Sequence, residues 1–180
     1  EPRSPGVIAP PGGVVAAADK LHVYGVDNTG PLDSSSFREA AKAMASELPA
    51  GSTATFADVT DGIAIARAAL FDGLRSEPLA THYFGNAGPE LWADEALLTV
   101  NDVATLDMDA PTVLFVWSCE AGWYQNLFGP SINEALLLVP GKGAMAAFGP
   151  AGATHPDQQQ ALFSRAYAPW LFGGVPRGEA

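Results

Sequence analysis

An uncharged segment, "TVLFVWS", occupies residues 112–118 of this chain. It is rich in β-branched and aromatic residues and does not alternate polar with apolar side chains, which predicts a strand buried on both faces of its sheet. Such a strand needs a layer of packed structure on each side. The fold is therefore expected to be built in layers around this strand.

Four more strand-like runs alternate with amphipathic helical segments along the sequence. This alternation is typical of a parallel sheet that helices cover on both faces. The fold class we predict is α/β, a three-layer sandwich with a mostly parallel central sheet. Its strands are predicted at residues 20–26, 52–59, 78–84, 112–118 and 143–149, and its helices at 32–48, 60–77, 130–141 and 155–174.

Capping residues accompany two of these helices. Ser131, with Glu134 three residues later, has the pattern of a capping box. Thr60 or Asp61 is expected to cap the helix that follows the second strand. Between residues 86 and 109 the pattern is mixed, and only a helical turn near "NDVATL" is predicted there.

The two ends of the chain differ in composition from its middle. Residues 1–18 are rich in Pro, Gly and Ala and are expected to form a linker or lead-in. Residues 19–173 are expected to form one domain, and residues 174–180 a flexible tail. Because the sequence begins with Glu1 rather than Met, we expect a piece of a longer chain.

Charge and composition exclude several classes of function. Nine basic and twenty acidic residues give a net charge of −11, which repels the phosphates of nucleic acids. No apolar run reaches the roughly 18–20 residues of a membrane span. No G-x-G-x-x-G or G-x-x-x-x-G-K-[ST] follows a strand, which disfavours a nucleotide- or flavin-binding domain. We expect no cofactor, no nucleic acid partner and no membrane span.

A metal site is not expected either. The single cysteine excludes an internal disulfide, and no Cys/His cluster has zinc spacing. Asp27 and Asn28 follow the first strand, where they form a simple turn, part of a cleft rim or a calcium site. The turn is the simplest of these interpretations.

Three loops are expected to follow strands at one edge of the sheet, where ligands of open parallel sheets bind. They are residues 85–88, 119–122 and 149–157. If the strands that end at Phe84 and Ser118 are neighbours, Asn86 and Cys119 face each other at this edge.

Three segments, in this order, resemble the catalytic half of the gingipain-type cysteine peptidases, the C25 family: "YFGNAGPELWADEALLTVNDVATL", "VLFVWSCEAGWY" and "SINEALLLVPGKGAMAAFGPAGAT". Members of this family typically carry Gly-His-Gly after a strand, then Trp-Ala-Asp, and later a strand that ends in cysteine. A Ser-x-x-Glu-Ala-Leu-Leu helix and a Gly-rich segment follow. The resemblance spans residues 20–172 and implies a caspase-like fold.

The resemblance also implies a site. In the family the histidine of Gly-His-Gly and the cysteine form a catalytic dyad that hydrolyses peptide bonds through a thioester acyl-enzyme. Carried over, Cys119 is the nucleophile, Asn86 occupies the histidine position, and Ala87 stands where glycine is usual. The family pattern places the oxyanion hole at the main-chain N–H groups of Ala87 and Cys119.

Asn86 cannot take up or deliver a proton as an imidazole does. The loss of general acid–base catalysis costs about 10²–10⁴-fold in rate, so we expect an inactive or crippled peptidase. Three explanations stay open: a natural pseudoenzyme that binds or scaffolds, an engineered inactivation, or a site rebuilt around another base. His155, in the loop after the fifth strand, is the better substitute base, although a surface or capping role is the simpler interpretation. His82 lies about 13 Å deeper in its strand, and with His22 it is expected to be structural.

Candidate substrate contacts lie near the same edge. Trp117 either lines a pocket beside the thiol or packs in the core. Trp123, with Tyr124, either clamps a peptide or packs its own loop. Glu90 or Asp94 would attract an arginine or lysine, as the basic specificity of some family members suggests.

Two functions of different class follow from the sequence. The first is a C25-like cysteine peptidase domain, and the second is a non-catalytic protein-interaction module that keeps the fold. The expected partners are a peptide or protein substrate or ligand, and an upstream lobe or propeptide of the same parent chain. The resemblance favours a secreted or extracytoplasmic location.

Overall fold

A computed structural model describes residues 21–28, 37–162 and 165 of the 180-residue chain. The predicted lead-in, the predicted tail and the end of the last predicted helix lie outside these residues. The strands are β1 (Leu21–Val26), β2 (Thr53–Asp58), β3 (Ala80–Phe84), β4 (Ala87–Gly88), β5 (Leu91–Trp92), β6 (Leu98–Thr99), β7 (Thr112–Trp117) and β8 (Ala144–Phe148). The helices are α1 (Phe37–Ser46), α2 (Ile63–Arg75), α3 (Val100–Val103), α4 (Ile132–Leu138) and α5 (Pro156–Leu162).

Five parallel strands form the central sheet in the order β2-β1-β3-β7-β8. Helix α1 packs on one face, and helices α2 and α4 pack on the other. The predicted three-layer sandwich with a parallel central sheet is therefore confirmed. The strands β3 and β7 are neighbours, with Phe84 directly opposite Trp117.

Alternate residues of the central strands pack into two separate cores. On β7, Leu114 and Val116 belong to the core under α2 and α4. Phe115 and Trp117 belong to the core under α1. Because both faces of β7 are buried in apolar surroundings, the strand shows no polar–apolar alternation in the sequence.

The start of helix α2 differs from the prediction that Thr60 or Asp61 caps it. The chain first forms a 3₁₀ turn at Val59–Asp61, whose first residues are capped by the Asp58 carboxylate through the Thr60 N–H. Helix α2 then begins after Gly62, which supplies no side-chain cap. The capping prediction was wrong because the polar residues are used by the preceding turn.

The other capping prediction is confirmed. The Ser131 N–H donates a 2.8 Å hydrogen bond to the Glu134 carboxylate, and the Glu134 N–H donates to the Ser131 hydroxyl at 3.4 Å. Residues 86–109 hold more structure than the sequence indicated. They form a small antiparallel sheet in the order β4-β5-β6, followed by the short helix α3.

Candidate active site

The loops that leave β3 and β7 are hydrogen-bonded to each other. The Ser118 hydroxyl donates to the carbonyl oxygen of Gly85, and the two oxygen atoms are 2.6 Å apart. These two residues come immediately before Cys119 and Asn86. The structure therefore brings the loops of these two site candidates together at one edge of the sheet.

The Asn86 loop has a fixed main chain. The Asn86 carbonyl accepts hydrogen bonds from the Tyr83 hydroxyl at 2.5 Å and from the Ala93 N–H at 2.9 Å. Ala87 lies opposite Trp92 in the small sheet, and the buried Trp92 ring stacks on Tyr83 with 4.7 Å between centroids. Asn86 itself is exposed, so this framework presents it at the rim of the site.

A buried carboxyl group lies under the same loop. Asp27 is 2% exposed, and its N–H donates a 2.8 Å hydrogen bond to the Phe84 carbonyl. A β-carbon placed on Gly85 would lie 2.6 Å from the Asp27 Cβ. Its neighbour Asn28 accepts a hydrogen bond from the Phe37 N–H and so holds the start of α1. Asp27 and Asn28 therefore contact both the end of β3 and the start of helix α1.

Cys119 is partly buried at the end of β7 and contacts Thr154 through its sulfur. The Thr154 N–H donates to Sγ at 3.4 Å, and the thiol donates to the Thr154 carbonyl at 3.5 Å. The Thr154 hydroxyl oxygen is 3.9 Å from Sγ. Thr154 lies in the loop that follows β8, and no motif in the sequence singled it out.

The turn that follows Cys119 is strained. Glu120 has a φ of 53°, a left-handed conformation that is uncommon for residues other than glycine. The turn is held from the third loop, because the Glu120 N–H donates to the Gly152 carbonyl at 3.2 Å and the Gly122 N–H donates to the Pro150 carbonyl at 3.0 Å. All three predicted loops therefore meet at this edge.

The aromatic candidates are placed differently from one another. Trp117 is 1% exposed and packs in the core under α1, with its ring 6.1 Å from that of Phe84. Of the two interpretations of Trp117, this burial supports packing in the core. Trp123 and Tyr124 are 38% and 66% exposed, and Leu127 and Phe128 of the same loop are each 94% exposed.

Glu90 is exposed and lies next to the loop that follows Cys119. Its Oε1 atom is 3.6 Å from the position that a β-carbon on Gly129 would take. The Ile132 N–H donates a 2.6 Å hydrogen bond to the carbonyl of Pro89, which joins the two loops again. The Glu90 carboxylate thus lies beside Gly129, the residue that follows the exposed Phe128.

The histidines fall into two groups. His82 is fully buried, and its Nε2 lies 3.3 Å from Nδ1 of the buried His22. Burial, and next the neighbouring His22, lower the pKa of His82 well below its usual value. His82 is a core residue stacked between Tyr24 and Phe115, whereas His155 is exposed and directly follows Thr154.

Within the described ranges, no three His, Cys, Asp or Glu side chains come together as a metal site would require. None of the helices in the same ranges has both the length and the apolar character needed to cross a membrane.

Comparisons with solved structures show the same fold in a known peptidase. The chain is similar to the "Complex of Porphyromonas gingivalis RgpB pro- and mature domains", with a TM-score of 0.60 and 14% identity over 80% of this chain. It is also similar to the "Arg specific cysteine proteinase gingipain R (RGPB)", with a TM-score of 0.61 and 14% identity over 85% of this chain. This chain spans 37% of each of those chains. At this identity the likeness shows the caspase-like fold alone.

Sequence comparison gives the family. A search of the curated proteins finds no match. The model of "Peptidase family C25" matches residues 13–177, which is most of the chain. The protein belongs to peptidase family C25.

Proposed function

We propose that the edge formed by β3 and β7 is a peptidase-type cleft, that Cys119 holds the nucleophile position, and that Asn86 leaves hydrolysis absent or very slow. The observation that carries this proposal is the hydrogen bond from Ser118 to Gly85, which holds the Asn86 loop against the cysteine loop. The strand register supports it too, because Phe84 and Trp117 are paired and each lies two residues before Asn86 or Cys119.

The reaction of such a site needs a proton carrier. A cysteine attacks a peptide carbonyl as a thiolate, and the departing amine then needs a proton. The Asn86 amide donates and accepts hydrogen bonds but does not change its protonation. A site that lacks this general acid–base group is expected to lose about 10²–10⁴-fold in rate.

The proposed oxyanion hole depends on main-chain groups rather than on side chains. The N–H groups of Ala87 and Cys119 are our candidates for the oxyanion hole, which requires no particular side chain. The strained turn at Glu120 supports a functional role for this edge, because strained backbone persists at sites that the surrounding structure holds in place.

We propose a polypeptide ligand that carries a basic residue. The exposed carboxylates of Glu90 and Asp94 lie in the Asn86 loop, and the net charge of −11 attracts cationic chains. One structurally similar proteinase is described as Arg-specific. Trp123 and Tyr124 are exposed beside the cysteine turn, where they are available to pack on neighbouring residues of the ligand.

The test restores the proton carrier. Asn86→His is incubated with a mixed peptide library, and cleavage products are identified by mass spectrometry. We expect cleavage to appear in Asn86→His and to disappear in the double variant that also carries Cys119→Ala. If Asn86→His cleaves no peptide and Cys119 is not labelled by peptide acyloxymethyl ketones, the peptidase proposal is wrong.

A rebuilt catalytic site is the second candidate. Thr154 contacts the Cys119 sulfur, and the next residue is His155, an exposed histidine at the start of α5. Under this hypothesis the unmodified chain cleaves peptides, and His155→Ala abolishes the cleavage. Activity that survives His155→Ala would exclude it.

A non-catalytic interaction module is the third candidate. The observation in its favour is the loop after Cys119, where Leu127 and Phe128 are each 94% exposed. Apolar side chains so exposed are typical of surfaces that bind another chain. Peptide binding by the unmodified chain, together with no cleavage by Asn86→His, would support this module.

A further inference from the structure

Two polar side chains meet at the carbonyl oxygen of Ser118, the residue before the candidate nucleophile. The Thr154 hydroxyl donates to this oxygen at 2.6 Å, and the Gln159 side-chain amide donates to it at 2.8 Å. The Gln159 amide also lies 2.5 Å from the Thr154 hydroxyl oxygen. Because a hydroxyl carries one hydrogen, Thr154 donates to Ser118 and accepts from Gln159.

These hydrogen bonds determine which atoms of Thr154 can donate to the Cys119 sulfur and which can accept from it. Its hydroxyl hydrogen is directed to Ser118, so the Oγ1 atom at 3.9 Å meets Cys119 as an acceptor. The Thr154 carbonyl oxygen at 3.5 Å is a second acceptor, and the N–H at 3.4 Å is a donor. The thiol hydrogen therefore has a partner in the Thr154 carbonyl, and the sulfur also accepts from the Thr154 N–H.

We propose that Thr154 and Gln159 are positioning residues that hold Cys119 as a hydrogen-bonded thiol, and that this latch must open before the sulfur can attack. The inference rests on the proposed nucleophile position of Cys119. The latch lies on the β8 side of β7, whereas the Asn86 loop lies on the β3 side. The thiol hydrogen is therefore directed away from the strand whose loop carries Asn86.

The test measures thiol chemistry and needs no substrate. Iodoacetamide alkylation of Cys119 in the full chain is followed by intact-mass spectrometry from pH 6 to pH 10. Thr154→Val removes the hydroxyl and Gln159→Leu removes the amide that anchor Thr154 to the Ser118 carbonyl, whereas Thr154→Ser keeps the hydroxyl. The main-chain bonds from Thr154 to the sulfur remain in every variant, but in Thr154→Val and Gln159→Leu they are no longer held in place. Gln158→Leu makes the same change at the neighbouring exposed residue.

We expect Thr154→Val and Gln159→Leu to be alkylated about fivefold faster at pH 7, the equivalent of about one hydrogen bond. Thr154→Ser and Gln158→Leu should follow the parent chain. Unchanged or slower alkylation in both latch variants, or an equal rise in Thr154→Ser, overturns the inference.

Failure of the proposed function gives a different result. In that case Asn86→His cleaves nothing, while the latch variants still alkylate faster than the parent. Circular dichroism melting of each variant separates a loosened latch from a chain that fails to fold. A latch variant that melts like the parent and is not alkylated faster counts against the latch.

Discussion

Gly85 packs against Asp27 with no room for a side chain. A β-carbon on Gly85 would lie 2.6 Å from the Asp27 Cβ and 2.6 Å from the Tyr83 hydroxyl oxygen. The same Tyr83 hydroxyl holds the Asn86 carbonyl. The conformation of the Asn86 loop therefore depends on the absence of a side chain at position 85.

The first prediction concerns this contact. Gly85→Ala should lower the free energy of unfolding by about 1–3 kcal/mol, because the new methyl group overlaps buried neighbours. Gly88→Ala is the matched control in the same loop, where a β-carbon would meet nothing within 4 Å. Urea denaturation measures both. Equal stability of the two variants would contradict the close packing of Gly85 against Asp27.

The second prediction concerns pH. The pKa of His82 is lowered in the folded protein by burial and then by His22, so the unfolded chain binds a proton at this residue more readily. Stability should be full above about pH 6.5, the ordinary histidine value, and should fall below it by at most about 1.4 kcal/mol per pH unit. His82→Phe should flatten this decline, as measured by urea denaturation between pH 5 and pH 8.

His155 supplies the control for this measurement because it is exposed. His155→Gln should keep the decline of the parent chain. If the stability of His82→Phe declines below pH 6.5 as steeply as that of the parent chain, groups other than His82 cause the pH dependence.

The central sheet was predictable because its signal is local and repeated. The segment at residues 112–118 is apolar at every position that faces either core, and helices α1, α2 and α4 each carry an apolar stripe. The proximity of the Asn86 loop to the Cys119 loop was also predictable, because neighbouring parallel strands end at the same edge of the sheet.

What the sequence did not reveal depends on contacts between distant residues. Thr154 reaches Cys119 across 35 positions, and no spacing rule links a threonine after one strand to a thiol after another. The two-residue strands β4, β5 and β6 are too short for a period to show. The role of Trp117 was ambiguous because both faces of β7 are buried. The sequence indicated that Trp117 is buried, but it did not indicate which face of the sheet its side chain packs on.

The third prediction concerns Arg67 on α2, which holds the segment behind the Asn86 loop. Its guanidinium donates to the Ala96 carbonyl at 2.7 Å and to the Asp102 carboxylate at 2.7 Å. Arg67→Met should cost about 1–3 kcal/mol of folding free energy, because these acceptors lose their partner. Arg75→Met, at an exposed position of the same helix, should stay within about 0.5 kcal/mol.

Acid titration adds a second measurement on the same variant. Burial raises the pKa of Asp102, but hydrogen bonds from Arg67 and then Thr99 outweigh it and leave the pKa lowered. Its contribution to stability is therefore present above about pH 4, the ordinary value, and is lost as the pH falls through the folded-state pKa. Arg67→Met should weaken this acid dependence, and an unchanged dependence would contradict the assignment.

The last prediction concerns the exposed loop beside the cysteine turn. The double variant Leu127→Ser, Phe128→Ser should keep the stability of the parent within about 0.5 kcal/mol, because both side chains are 94% exposed. Its affinity for a fluorescent hexapeptide with arginine between phenylalanine and leucine should fall about tenfold or more. A tenfold loss corresponds to about 1.4 kcal/mol, less than the burial of one large apolar side chain provides.

Leu138→Ser is the matched control, because Leu138 is 74% exposed at the carboxyl end of α4. That helix runs from the cysteine edge back to the start of β8, so its end lies at the opposite edge of the sheet. Fluorescence polarisation should show parent-like binding for this control. If the double variant and the control both bind like the parent, Leu127 and Phe128 do not contact the peptide. Removing an apolar contact that contributes to binding must lower the affinity for the peptide.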